Sequence, residues 1–74
     1  MKTSTVRLEF PLERIQEPVV THLVKDFDVE PNVLAADVEA GRGGWMLLGL
    51  RGDESRLADA VRWIQSLGIG VTEQ

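Results

Sequence analysis

Asn32 carries a side-chain amide that both donates and accepts hydrogen bonds, so it can serve the ammonium and the carboxylate of a free amino acid alike. Val33 and Leu34 follow it and offer apolar lining for an apolar ligand side chain. The competing role for Asn32 is a turn residue that satisfies nearby backbone. Asp26, Asp28 and Glu30 alternate just before it and could draw a hard cation, but a solvated acidic loop is the better explanation of them. The chain has a single histidine, His22, and no cysteine, which leaves no set of side chains for a transition-metal site, an iron–sulfur cluster or a nucleophile–base dyad. Gly41-Arg42-Gly43-Gly44 looks like a phosphate cradle, but such loops present their amides at a helix N-terminus, and here a strand pattern follows. The sequence reading therefore expects no catalytic residue, no metal and no cofactor, and takes Asn32, Val33 and Leu34 as candidate ligand-binding residues.

The elements that must position them follow from hydrophobic periodicity. Thr5 to Phe10 alternates, with Val6, Leu8 and Phe10 on one side and Arg7 and Glu9 on the other, the period of a half-buried strand. Val19, Val20, Leu23, Val24 and Phe27 recur at helical spacing and predict a helix from about Glu17 to Asp26, with Pro18 in its first turn. Val33 to Glu39 alternates again, placing Leu34, Ala36 and Val38 together and Val33, Ala35 and Asp37 opposite. The glycine run predicts a hairpin into a third strand, Trp45 to Arg51. Asp53 is placed to cap a second helix whose stripe is Leu57, Ala60, Val61, Ile64 and Leu67, and Trp63 flanks that stripe as a packing residue. Gly68 suits a helix C-terminus, and Ile69 to Thr72 is left as a short fourth strand. The order βαββαβ predicts an α+β, ferredoxin-like fold: a four-stranded antiparallel sheet with two helices on one face.

Both faces of the third strand are apolar, with Trp45, Leu47 and Gly49 on one and Met46, Leu48 and Leu50 on the other. One face must meet the helices. The remaining one, continued by Val33 and Ala35, predicts an interface at Val33, Ala35, Trp45 and Leu47, since exposed apolar patches mark contact sites. A chain of 74 residues forms one domain, and without disulfides a homodimer is the expected reinforcement. Twelve acidic against eight basic residues give a net charge of −4, which repels phosphate backbones and argues against nucleic acid. An RNA-recognition module of this topology needs stacking aromatics on its central strands, and Trp45 alone, under a negative net charge, does not make that platform. No apolar stretch is long enough for a bilayer span or a leader, so the expectation is a soluble, cytoplasmic domain without membrane contact.

Several groups of residues together resemble the NIL domain family, named for an Asn-Ile-Leu triplet that here reads Asn32-Val33-Leu34. The others are Val6-Arg7-Leu8-Glu9-Phe10-Pro11, Glu17-Pro18-Val19-Val20, Phe27, Gly52 and Trp63-Ile64, which fall in the family's order and spacing from Val6 to about Val71. The resemblance implies a single NIL-like domain over residues 1–74. In that family the domain closes the ATPase subunit of bacterial methionine importers, where it binds methionine and inhibits transport, and it also occurs beside ferredoxin-type modules. The implied ligand is therefore an amino acid such as methionine, with Asn32 in the site, and the implied partner a transporter or a ferredoxin-type protein. The alternative is an interaction or dimerisation module that has kept the fold without the ligand.

Overall fold

Val6 and Leu8 are fully buried while Arg7 and Glu9 stay accessible, so the first strand turns one face to the core and the other outward. The computed structural model describes residues 1–74. Strand β1 spans Lys2–Pro11 and is followed by a single 3-10 turn, Leu12–Arg14. Helix α1 covers Val19–Phe27, β2 Glu30–Glu39, β3 Gly43–Gly52, α2 Glu54–Ser66 and β4 Gly70–Glu73. The sheet order is β2-β3-β1-β4, and every neighbouring pair is antiparallel. This is the ferredoxin-like arrangement that the element order predicts, with each helix crossing over one strand before the next is laid down.

The core lies between the sheet and the helices. Val6 and Leu8 of β1 and Leu48 and Leu50 of β3 meet Val19 and Leu23 of α1 and Leu57, Ala60 and Ile64 of α2 in one buried cluster. Val29 and Ile69, in the connections that leave the two helices, complete it. Burying a large aliphatic side chain is worth roughly 1.5–3 kcal/mol, so this cluster carries most of the fold's stabilisation. No buried side-chain polar atom lacks a partner. No helix is long and apolar enough to cross a membrane.

Several boundaries differ from the sequence expectation. Helix α1 begins at Val19, and Pro18 is its N-cap at φ −79° and ψ 63°. Glu17 and Pro18 therefore lie outside the helix, because the chain must turn sharply after the 3-10 segment before it can wind. The helix ends on Asp28 in the left-handed region (φ 54°), a conformation that short polar side chains tolerate better than apolar ones. Asp53 occupies the N-cap of α2, as expected, but its side chain makes no capping hydrogen bond. Strand β2 starts at Glu30, so Asn32 sits inside the strand and not at its mouth. Pro31 is tolerated there because β2 is an edge strand, where a missing N–H disrupts no central ladder.

A bulge in β2 changes which residues share a face. Val33 lies opposite Leu48, Ala35 opposite Leu47, and Ala36 opposite Met46. Directly opposed residues of an antiparallel pair point to the same side. Val33 therefore faces the helix side with Leu48, while Ala35 faces outward with Leu47. Simple alternation had placed Val33 and Ala35 together with Trp45 and Leu47; the extra residue at the bulge breaks that period and sends Leu34 to the outer face in place of Val33.

Candidate functional site

The outer face of the sheet is where Asn32 is presented. Asn32 lies opposite Gly49 on β3, and Gly49 lies opposite Thr5 on β1, so a row crosses three strands with no side chain at its centre. A β-carbon built on Gly49 would stand 3.9 Å from Leu34 Cδ1 and 4.0 Å from Asn32 Cβ. Glycine here leaves a dent whose wall is Asn32 and Leu34. The groove over it, about 410 Å3, is lined also by Thr3, Thr5, Glu30 and Arg51. That volume falls within the roughly 300–1,000 Å3 of small-molecule sites.

The groups around the groove suit a small zwitterion with an apolar tail. Arg51 takes part in none of the six ion pairs of the chain, so its guanidinium is available to an incoming carboxylate. Asn32 and Glu30 supply oxygens for an ammonium, Thr3 and Thr5 supply hydroxyls, and Leu34 supplies an apolar wall. Asn32 and Leu34 thus come together at this groove, whereas Val33 points to the other side of the sheet. Arg51, Gly49 and Thr5 were missed by sequence reasoning. The one available signal was Arg51 itself, a lone charge closing the apolar run Trp45 to Leu50.

Trp45 and Leu47 lie farther along the same face. Arg7 stacks over the Trp45 ring with its guanidinium carbon 4.6 Å from the ring centre, and Glu9 accepts a hydrogen bond from Arg7 Nε at 2.6 Å. The cation covers part of the indole, so the outer face around Trp45 is less bare than its apolar residues suggest. Ala35 and Leu47 are half-buried beside it.

A second, more apolar cleft opens on the helix side at the start of α1. It is lined by Phe10, Ile15, Val19, Val38 and Met46 among others, with Glu17 and Asp37 at its polar edge. Its volume of about 180 Å3 is below the usual range for ligand pockets, and its charged side chains are both acidic, so it offers no cationic side chain to a carboxylate. His22 faces Asp26 (Nδ1 to Oδ2 2.7 Å) with its ring 5.3 Å from Trp63, and Trp63 stands 5.3 Å from Phe27. These side chains brace α1 against α2, which gives Trp63 the packing role expected of it.

Comparison with known proteins agrees with this architecture. A family model described as the NIL domain matches residues 4–73. The methionine import ATP-binding protein MetN 2 of Acinetobacter baylyi is 32% identical over 73 residues, covering 95% of this chain and 21% of that protein. The methionine import ATP-binding protein MetN 1 of Listeria innocua is 31% identical over 71 residues, covering 92% and 21% respectively. The chain thus spans about a fifth of the length of the curated relatives it matches. The crystal structure of the C-terminal domain of an ABC transporter ATP-binding protein from Enterococcus faecalis superimposes with a TM-score of 0.83 at 23% identity, over 95% of this chain and 81% of that one.

Proposed function

Since the chain belongs to the NIL domain family, we propose that it is a non-catalytic regulatory domain that binds an apolar amino acid such as methionine in the groove between Asn32 and Arg51. The observation that carries this reading is the bare strand at Gly49, flanked by an unpaired guanidinium, an amide and the Leu34 side chain. A free amino acid leaving water must keep both charged ends hydrogen-bonded, and this groove offers opposite polarity for the two ends beside an apolar wall. Its relatives are named as methionine import ATP-binding proteins, which supports methionine as the ligand and an importer's ATPase or a related transport component as the partner. A groove open along one side buries a ligand incompletely, so the site works at or near a contact with a second copy of the chain, in the cytoplasm where such ATPases act.

Titration calorimetry with L-methionine tests the proposal. Binding to the folded state alone stabilises a domain by about 2.7 kcal/mol at a hundred times the dissociation constant. That corresponds to a rise in melting temperature on the order of 10 °C for a domain of this size. Asn32→Ala and Arg51→Ala are expected to abolish most of the heat and the shift while leaving the unliganded melt within a few degrees, because both side chains are exposed. Gly49→Leu is expected to block binding by filling the dent. If no amino acid at millimolar concentration moves the melt, the domain is an interaction module without a small ligand; if methionine binds the three variants as it binds the parent, the site lies elsewhere.

A further inference from the structure

Strand β1 is ten residues long, but β4 pairs with only four of them, Val6 to Glu9. One further bond, from Gln74 N–H to Thr5 O at 2.9 Å, closes that ladder, and Lys2 to Ser4 have no strand beside them on this side. In an antiparallel strand the N–H and C=O of one residue point to the same side, and the side alternates along the chain. Thr3 therefore turns both groups the way Thr5 does, into the space past β4, and no backbone bond outside the ladders involves it. Lys2 and Ser4 turn theirs to β3, opposite Gly52 and Leu50.

On the helix side of this open edge a groove of about 290 Å3 runs between β1 and α2, floored by Val6, Leu50, Leu57 and Val61. The volume falls just short of the roughly 300 Å3 at which small-molecule sites begin, so it suits one or two side chains of a strand lying on the edge. Charge gives the groove a direction. Glu73, at the β4 end, takes part in none of the chain's ion pairs. Lys2, at the other end, has only Glu54 at 4.0 Å, and the two side chains are 54% and 83% exposed.

We infer that this slot takes an extended segment of a partner protein, which continues β4 antiparallel to β1 with an apolar residue opposite Ser4 and an acidic one opposite Lys2. Strand addition of this kind draws affinity from main-chain bonds and specificity from the alternate side chains. The residue opposite Thr3 exchanges both backbone bonds with it and faces outward. Its two neighbours face the helices, because opposed residues share a face and Ser4 and Lys2 line the groove. The first of them lies over Leu57 and Val61, where an acid would meet the unpaired Glu73; the second meets Lys2 as a cross-strand pair of opposite charge. A lysine on an edge guards against general pairing. Here it narrows the occupant to a segment that brings a carboxylate. The inference goes beyond the amino-acid reading and does not depend on it, since Asn32 and Leu34 lie on β2 at the other edge of the sheet.

The peptide acetyl-Val-Thr-Glu-Gly-amide, with its valine opposite Ser4 and its glutamate opposite Lys2, is the probe. Titrated at millimolar concentration into the 15N-labelled chain, it is expected to shift the amides of Thr3, Ser4, Leu57 and Val61 saturably and to slow exchange of the Thr3 N–H. Methylating the peptide's threonine nitrogen removes the donor to Thr3 O and is expected to weaken binding at least ten-fold, as is valine to aspartate; glutamate to lysine is expected to weaken it about five-fold. None of these controls alters the protein, so its folding does not enter. A tethered segment sees a high effective concentration. The chain extended past Gln74 by Val-Thr-Glu is accordingly expected to melt several degrees above the chain extended by Val-Pro-Glu. Unperturbed Thr3 and Ser4 amides, equal binding of the N-methyl peptide, or equal melts of the two extensions would each overturn the inference. Self-association of the parent chain that the peptide competes away would assign the slot to a second copy and overturn it as well. Peptide binding without methionine binding would leave the slot standing and remove the ligand reading alone.

Discussion

Leu48→Ala is expected to cost about 3 kcal/mol of stability, within the roughly 2–5 kcal/mol that truncating a buried leucine removes. Leu48 is fully buried at the centre of β3, with Val6 opposite it on one side and Val33 on the other. The loss has two parts, the transfer of the deleted methyl groups and the cavity they leave in a sheet whose neighbours are held by ladders on both sides. A domain of this length holds roughly 4–11 kcal/mol in total at the usual stability per residue. The substitution therefore removes a large fraction of it, and the melting temperature should fall by about 12–24 °C. Urea denaturation checks this as a lower midpoint with little change of slope. Val38→Ala, at a position 66% exposed, serves as the comparison, with an expected change within about 0.5 kcal/mol in the monomer. Equal effects at the two positions would contradict the placement of Leu48 in the core.

Gly43→Ala is expected to be of similar severity for a different reason. Gly43 has φ +122°, and a β-carbon there would lie 2.3 Å from the carbonyl oxygen of Phe10. The obstacle is backbone, held by the pairing of Pro11 with Gly43 at the end of the β1–β3 ladder, so it cannot swing aside as a side chain could. The dihedral alone costs about 1–3 kcal/mol for a residue with a side chain. Relief of the clash adds about 1–3 kcal/mol, the usual range for overpacking. Gly41→Ala separates the two contributions: Gly41 has φ +77° but nothing within 4 Å of its built β-carbon. Its substitution is expected to cost only the left-handed strain, about 1–2 kcal/mol. A melt of Gly43→Ala as mild as that of Gly41→Ala would show that the hairpin end yields without resistance. The hairpin run is thus explained by geometry, with Gly43 required by close approach and Gly41 by its turn.

The resemblance to the NIL domain family rested on short groups of residues in a set order, and membership over residues 4–73 bears it out. The ferredoxin-like topology was legible for a simpler reason: element type and order are written in local periodicity. Val6 and Leu8 alternate with Arg7 and Glu9, while Leu57, Ala60 and Ile64 recur at helical spacing, and all five of these apolar residues are buried. Gly68, at φ +83°, ends the second helix where its lack of a side chain pointed.

The local pattern of the sequence determined the strands, the helices and the apolar sets that each must bury, because those depend on residues within a few positions of one another. Tertiary structure alone decided which residues meet across strands. Arg51, Gly49, Thr5 and Asn32 come from three strands and share a groove only through ladder register, which no local period encodes. The bulge between Val33 and Ala35 made the same point within one strand. Alternation assigned both residues to a single face, but one extra residue reverses every side chain on one side of it. The physical reason is that periodicity reports the phase of an isolated strand, whereas phase relative to the core is set by hydrogen bonds to its neighbour. Asn32 was therefore recognisable as a residue able to bind an amino acid, while the guanidinium, the dent and the apolar wall beside it emerged only when the sheet was assembled.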